Sequence, residues 1–138
     1  MTRDEYIAAL SRFVTLDLVK AYKSDDPSTY VLEMFTNLEE KTRTQVISVR
    51  LVNGDADVLA FSVVGPCPQD VEVMSQLLGE NRDGYYSRLA LMPDGDLVQV
   101  YRYPLEELEV MEFLKALDEV SRYADIYESK YFQGSEQH

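Results

Sequence analysis

The 138-residue sequence has one cysteine, one histidine and no tryptophan. Cys67 has no second thiol for an internal disulfide, a zinc cluster or a redox pair, and a lone cysteine suits a reducing compartment. Between Pro66 and Pro68 it reads as a small buried thiol rather than a nucleophile. His138 stands at the very end, where an ordered imidazole for a triad or metal site is rarely held. Basic residues are also scarce. Thirteen Lys and Arg against twenty-five Asp and Glu give a formal charge of −12, which argues against nucleic acid or an anionic membrane as partner. No apolar run approaches the roughly 18 residues of a membrane span, and the opening Met-Thr-Arg-Asp-Glu lacks a signal-peptide pattern. A cytoplasmic location is expected.

Ready-made chemical motifs are missing as well. Gly79 and Gly84 have the spacing of a phosphate loop, but Tyr85 stands where that loop needs lysine. Asn53, Asp55 and Asp57 begin like a calcium-binding loop, yet Val58 and Val64 replace its glycine and its bidentate glutamate. Asp94 and Asp96 flank Gly95, where aspartate ordinarily bonds to its own turn. No catalytic, cofactor or metal residue is assigned, and no cofactor is expected.

What is present can bury a core: 46% of residues are hydrophobic and 28% charged. Thr2 and Glu5 form a capping box at the start of a first helix, with Tyr6, Leu10, Phe13, Val14, Leu18 and Tyr22 as its apolar stripe. Asp25-Asp26-Pro27 ends it. Strands are predicted over 30–35, 45–52 and 58–64, the last two joined by a tight turn at Asn53-Gly54. Pro68 is expected to open a second helix carrying Val71, Met74, Leu77 and Leu78, with Gly79 as its stop. Two more strands are predicted over 85–92 and 97–103, and a long amphipathic helix over 105–132. Its glutamates read as a solvated face. Glu128, Tyr131, Gln133 and Gly134 fit the tobacco etch virus protease recognition pattern, which is taken as coincidence. The order α-β-β-β-α-β-β-α predicts one α+β domain over 1–132, an antiparallel sheet packed against helices, with 133–138 as a disordered tail.

Ten tyrosines are the least ordinary feature. Tyr85, Tyr86, Tyr101 and Tyr103 crowd the last hairpin; Tyr123, Tyr127 and Tyr131 lie on the last helix. Core packing and an interface both account for them.

The second half resembles a known family. Tyr86-Ser-Arg-Leu-Ala-Leu91, Asp94-Gly-Asp-Leu-Val98, Tyr103-Pro-Leu105 and Phe113-Leu-Lys-Ala-Leu-Asp-Glu-Val120 are similar to the ending of the type III secretion chaperone-like fold, which includes YbjN-type proteins. The resemblance implies a homodimeric cytosolic bacterial protein. In secretion chaperones such a dimer holds an extended partner segment over apolar grooves, while YbjN-type relatives are described as regulators. The family supplies no catalytic residues. The expected function is therefore a non-enzymatic protein-binding module whose partner is a protein or an extended, basic segment. Phe13, Leu18, Tyr30, Met34, Tyr85, Tyr101 and Tyr103 are its candidate partner-binding residues. Two alternatives stay open. One is a small hydrolase or metal-dependent enzyme in which Asp55, Asp57, Asp94 or Asp96 converge. The other is a structural subunit of a larger assembly.

Overall fold

The computed structural model describes residues 1–37 and 39–132. Helix α1 (Arg3–Phe13) starts as its sequence dictates. The Glu5 amide donates to Thr2 Oγ1 at 3.1 Å, and the Thr2 amide donates to Glu5 Oε1 at 2.9 Å. These two bonds satisfy donors that a helix start leaves open.

Strands β1 (Val19–Asp26), β2 (Thr29–Phe35), β3 (Thr44–Val52) and β4 (Asp57–Pro66) follow, then helix α2 (Val71–Glu80). Strands β5 (Arg88–Leu91) and β6 (Asp96–Pro104), a short 3-10 turn (Leu105–Glu107) and helix α3 (Val110–Tyr131) complete the order. All strand pairs are antiparallel, and the sheet runs β1-β2-β3-β4-β6-β5. The α+β class and the order of the predicted elements hold, with one strand more than the sequence suggested.

The extra strand, β1, occupies the stretch expected to finish the first helix. Val19 faces Met34 and Tyr22 faces Leu32, because the register shifts by one residue between Val19 and Ala21. This bulge places two same-face residues three apart, a spacing that imitates a helix. Pairing with β2 then outweighs the local preference.

Three smaller boundaries also moved. Asp70, not Pro68, caps α2, accepting from the amides of Glu72 at 2.8 Å and Val73 at 3.3 Å. Gly79 lies inside that helix; the end comes at Asn81, whose side chain is tied to the Leu89 backbone at 2.7 and 3.3 Å. The last helix is interrupted at Leu108, where extended backbone turns both Leu105 and Leu108 into the core. The tail 133–138 lies outside the described residues.

One face of the sheet is closed. Leu32 and Met34, Ile47 and Val49, Val58 and Ala60 alternate inward and meet Tyr6, Leu10 and Phe13 of α1 and Phe113, Leu117 and Val120 of α3. The opposite face carries Val31, Val46, Leu59, Phe61, Val63 and Val100, half-buried or exposed. None of these side chains belongs to a buried cluster. The β3–β4 turn uses positive φ at Asn53, Gly54 and Asp55, as the Asn-Gly signal required.

Candidate partner-binding surfaces

The two acidic turns do not meet in one pocket; Asp55 and Asp57 line a cleft of about 370 Å³ with Met1, Pro104, Glu106 and Glu107. Asp57 pairs with Pro104 and Asp96 with Pro66 across β4 and β6, so the two turns stand at opposite ends of β4. At about 3.3 Å per residue that separates them by roughly 30 Å. The expected convergence of Asp55, Asp57, Asp94 and Asp96 is thereby corrected. Asp55 pairs with Arg3 at 3.4 Å and Asp57 with Arg102 at 2.9 Å. Asp94 accepts from the Asp96 amide at 2.9 Å, the turn chemistry its position predicts. Among the described residues, no three His, Cys, Asp or Glu side chains are placed to hold a metal ion.

The seven candidate binding residues divide into two sets. Phe13, Tyr30 and Met34 are buried in the main core, with Leu18 half-buried against it. None of these four presents an open groove. Tyr85 and Tyr103 are exposed (79% and 37%), whereas Tyr101 between them is buried. The second set forms one aromatic ladder. Tyr103 stacks on Tyr101 with ring centres 6.1 Å apart and planes 4° from parallel. Tyr86 meets Tyr101 edge-on at 6.5 Å, and Tyr85 meets Tyr86 at 4.8 Å.

The ladder rests on a buried anion. Glu119 of α3 accepts from the amides of Tyr85, Tyr86 and Ser87 at 3.1, 2.8 and 2.6 Å, and from the Ser87 hydroxyl at 2.7 Å. Ser87 also accepts from Gln99 Nε2 at 2.7 Å. This corrects the solvated-face expectation for Glu119, and it shortens the predicted strand 85–92 to Arg88–Leu91 because 85–87 are held by the carboxylate instead. Desolvation raises the phenol pKa of Tyr86 and of Tyr101, with the neighbouring tyrosines and Glu112 adding to it.

A different apolar surface lies at the far edge. Helix α2 buries Leu77 against Val64, Leu89, Leu97, Ala124 and Tyr127. It leaves Val71 and Leu78 exposed (74% and 70%), along with Met74, beside Leu91 of edge strand β5 (63%). A cleft of about 180 Å³ opens here, lined by Cys67, Met74, Leu77, Leu78, Leu89, Ala90, Leu91 and Leu97. Cys67 is half-buried in its wall. The sequence placed Val71, Met74, Leu77 and Leu78 on this helix without marking which of them face water. The available signal was their number: Val71, Val73, Met74, Leu77 and Leu78 cover more of a ten-residue helix than one sheet edge can bury.

The third surface is the outer edge of β1, whose residues from Lys20 onward are all exposed. Its free edge lies beyond β2, at the end of the sheet.

The sequence matches no family model and no curated protein. The fold, in contrast, has counterparts among solved structures. One is a chain of the heterodimeric ExoU–SpcU complex from the type III secretion system of Pseudomonas aeruginosa. It is 17% identical, with 88% of this chain and 93% of that one covered at a TM-score of 0.62. A chain of the HopA1–SchA chaperone–effector complex is 13% identical over 91% and 92%, with a TM-score of 0.59. A chain of the Yersinia pestis type III secretion chaperone SycH, in complex with a stable fragment of YscM2, is 14% identical over 88% and 96%, with a TM-score of 0.55. At these identities the likeness establishes the α+β fold of type III secretion chaperones.

Proposed function

We propose that the protein is a non-enzymatic, chaperone-like or regulatory module that forms a cytoplasmic homodimer and holds a partner polypeptide. The observation that carries the dimer is the α2–β5 surface. A helix that buries one leucine and exposes Val71, Met74 and Leu78 beside Leu91 keeps apolar area in water at about 25 cal/mol per Å². A second copy covers it best, because a twofold axis places the same patch on both sides of the interface. The partner polypeptide then has a free strand edge at β1 to extend. The net charge of −12 steers a basic segment toward it. Fold likeness supports this reading, since each of the three solved structures is a complex with another polypeptide. The YbjN-type resemblance of residues 86–120 belongs to the same proposal and keeps a regulatory role beside the chaperone role.

Light scattering on the wild-type chain and on Leu78→Glu tests the dimer. The expected result is a wild-type dimer and a folded L78E monomer; a wild-type monomer at tens of micromolar overturns it. A tagged pull-down washed at low and high salt tests the partner. Polypeptides released by salt fit acidic steering. A single stoichiometric neighbour that survives high salt means an apolar interface, and points to a client or to a permanent assembly.

A further inference from the structure

We propose that the tyrosine ladder beside the start of α3 is a receptor for an arginine-bearing segment of a partner polypeptide, with Glu112 as countercharge. The inference rests on the protein-binding reading but not on the α2–β5 surface.

Three observations carry it. First, Tyr85 is the most exposed large apolar side chain among the described residues, and it ends a continuous run of rings that reaches the core at Tyr101. Second, the loop that presents it is fixed. Three consecutive amides and a hydroxyl point at one buried carboxylate, Glu119. Tyr85 and Tyr86 therefore lose little backbone freedom when something docks on them. A monomer with no ligand to meet has no evident use for so exposed a ring on so rigid a loop. Third, the start of α3 is acidic. Residues 105–117 contain Glu106, Glu107, Glu109 and Glu112 against the single Lys115, and the four glutamates are exposed. Glu112 lies within electrostatic reach of both Tyr86 and Tyr101.

Two arginines of this region are turned to other groups. Arg88 donates to the carbonyls of Gly84 and Ser87 at 2.8 and 2.7 Å. Arg102 alternates with the inward Tyr101 and Tyr103 along β6 and pairs with Asp57. A bare ladder would suit proline-rich segments equally well; the glutamates favour a cation. Arginine fits better than lysine, because a planar guanidinium stacks on a phenol ring while its edge donates to a carboxylate.

The test is a titration of the full-length 15N-labelled chain with acetyl-Gly-Arg-Gly-Arg-Gly-amide. Two control peptides accompany it, one with citrulline for arginine and one of glycine and proline alone. Saturating amide shifts confined to residues 84–87 and 110–112 are expected. Citrulline should weaken binding about tenfold and Tyr85→Ala about fivefold. Glu112→Gln should weaken it about threefold, a loss that shrinks as salt is added. Both side chains are exposed, so both variants keep the fold. Equal response to the control peptides, shifts spread over the whole acidic surface, or no shift up to about 10 mM peptide each overturns the ladder as a receptor. L78E separates the two proposals. Ladder shifts in a monomeric L78E chain show peptide capture without the dimer; a wild-type dimer that ignores the peptide leaves the dimer standing alone.

Discussion

Among the described residues, two hydrophobic clusters are built on opposite terms. The main one joins α1, α3 and the inner faces of β2, β3, β4 and β6 in eighteen buried residues. The second, at the α2–β5 edge, has six. In the main cluster apolar side chains are spent inward: Phe113, Leu117 and Val120 are fully buried on α3. On α2 only Leu77 is buried, while Val71, Met74 and Leu78 face water. Such a helix gives the core one side chain and leaves three apolar ones in water. One sheet thus supports a closed end and an end that leaves apolar side chains exposed.

Substitutions sharpen this contrast. Phe113→Ala should remove about 3–5 kcal/mol of stability, as expected for a large ring in a closed core, measured by urea denaturation. Glu119→Ala leaves the amides of 85–87 without their acceptor. It should cost about 3 kcal/mol, and hydrogen exchange should quicken at those three amides while the α1 amides stay protected. Leu77→Ala should cost about 2 kcal/mol, less than Phe113→Ala because the small cluster lies beside an open cleft. Its exposed neighbour gives the smallest mutational effect: Leu78→Ala should stay within about 0.5 kcal/mol for the folded protomer, yet weaken association by light scattering. Equal losses at Leu77 and Leu78 would erase the distinction between the two ends.

Alkali separates the clusters as well. Burial pushes the Tyr127 phenol up to about 12 from its ordinary 10.0. Tyr6 and Tyr101 in the main cluster are raised further, again chiefly by burial. The folded state therefore favours the neutral phenol. That stabilisation is complete below pH 10 and is lost as pH rises from 10 to about 12 for Tyr127. Tyr127→Phe should flatten the fall of stability in this window, checked by urea denaturation at stepped pH.

Much of the architecture was legible because local chemistry and global fold agreed. The Thr2–Glu5 box, the Asn53-Gly54 turn, the alternation along β3 and the apolar run of β4 all point one way. Strand β1 was hidden because Leu18 and Tyr22 keep the four-residue step of the helix before them, while its residues from Lys20 onward are exposed and show no apolar alternation. Glu119 was hidden by its neighbours. It sits among acidic residues of a long helix, and only a loop thirty-odd positions earlier in the chain makes its burial affordable. The binding surfaces were half legible. Tyrosine content marked the ladder, but which rings turn inward depends on the pairing of β4 with β6. The exposure of α2 had no periodic signature, since an apolar stripe reads the same whether its own sheet or another chain covers it.

The position of α3 in the sequence sets an order of events during synthesis. It is the last element among the described residues, yet it supplies Phe113, Ala116, Leu117 and Val120 to the main cluster. A ribosome-bound chain that has completed β4 has Ile47, Val49, Val58 and Ala60 ready on one side of a sheet that only α1 can yet cover. At roughly 5–20 residues per second, the sixty or so residues still to come take about 3–12 s. During that interval the nascent sheet is itself an exposed apolar client.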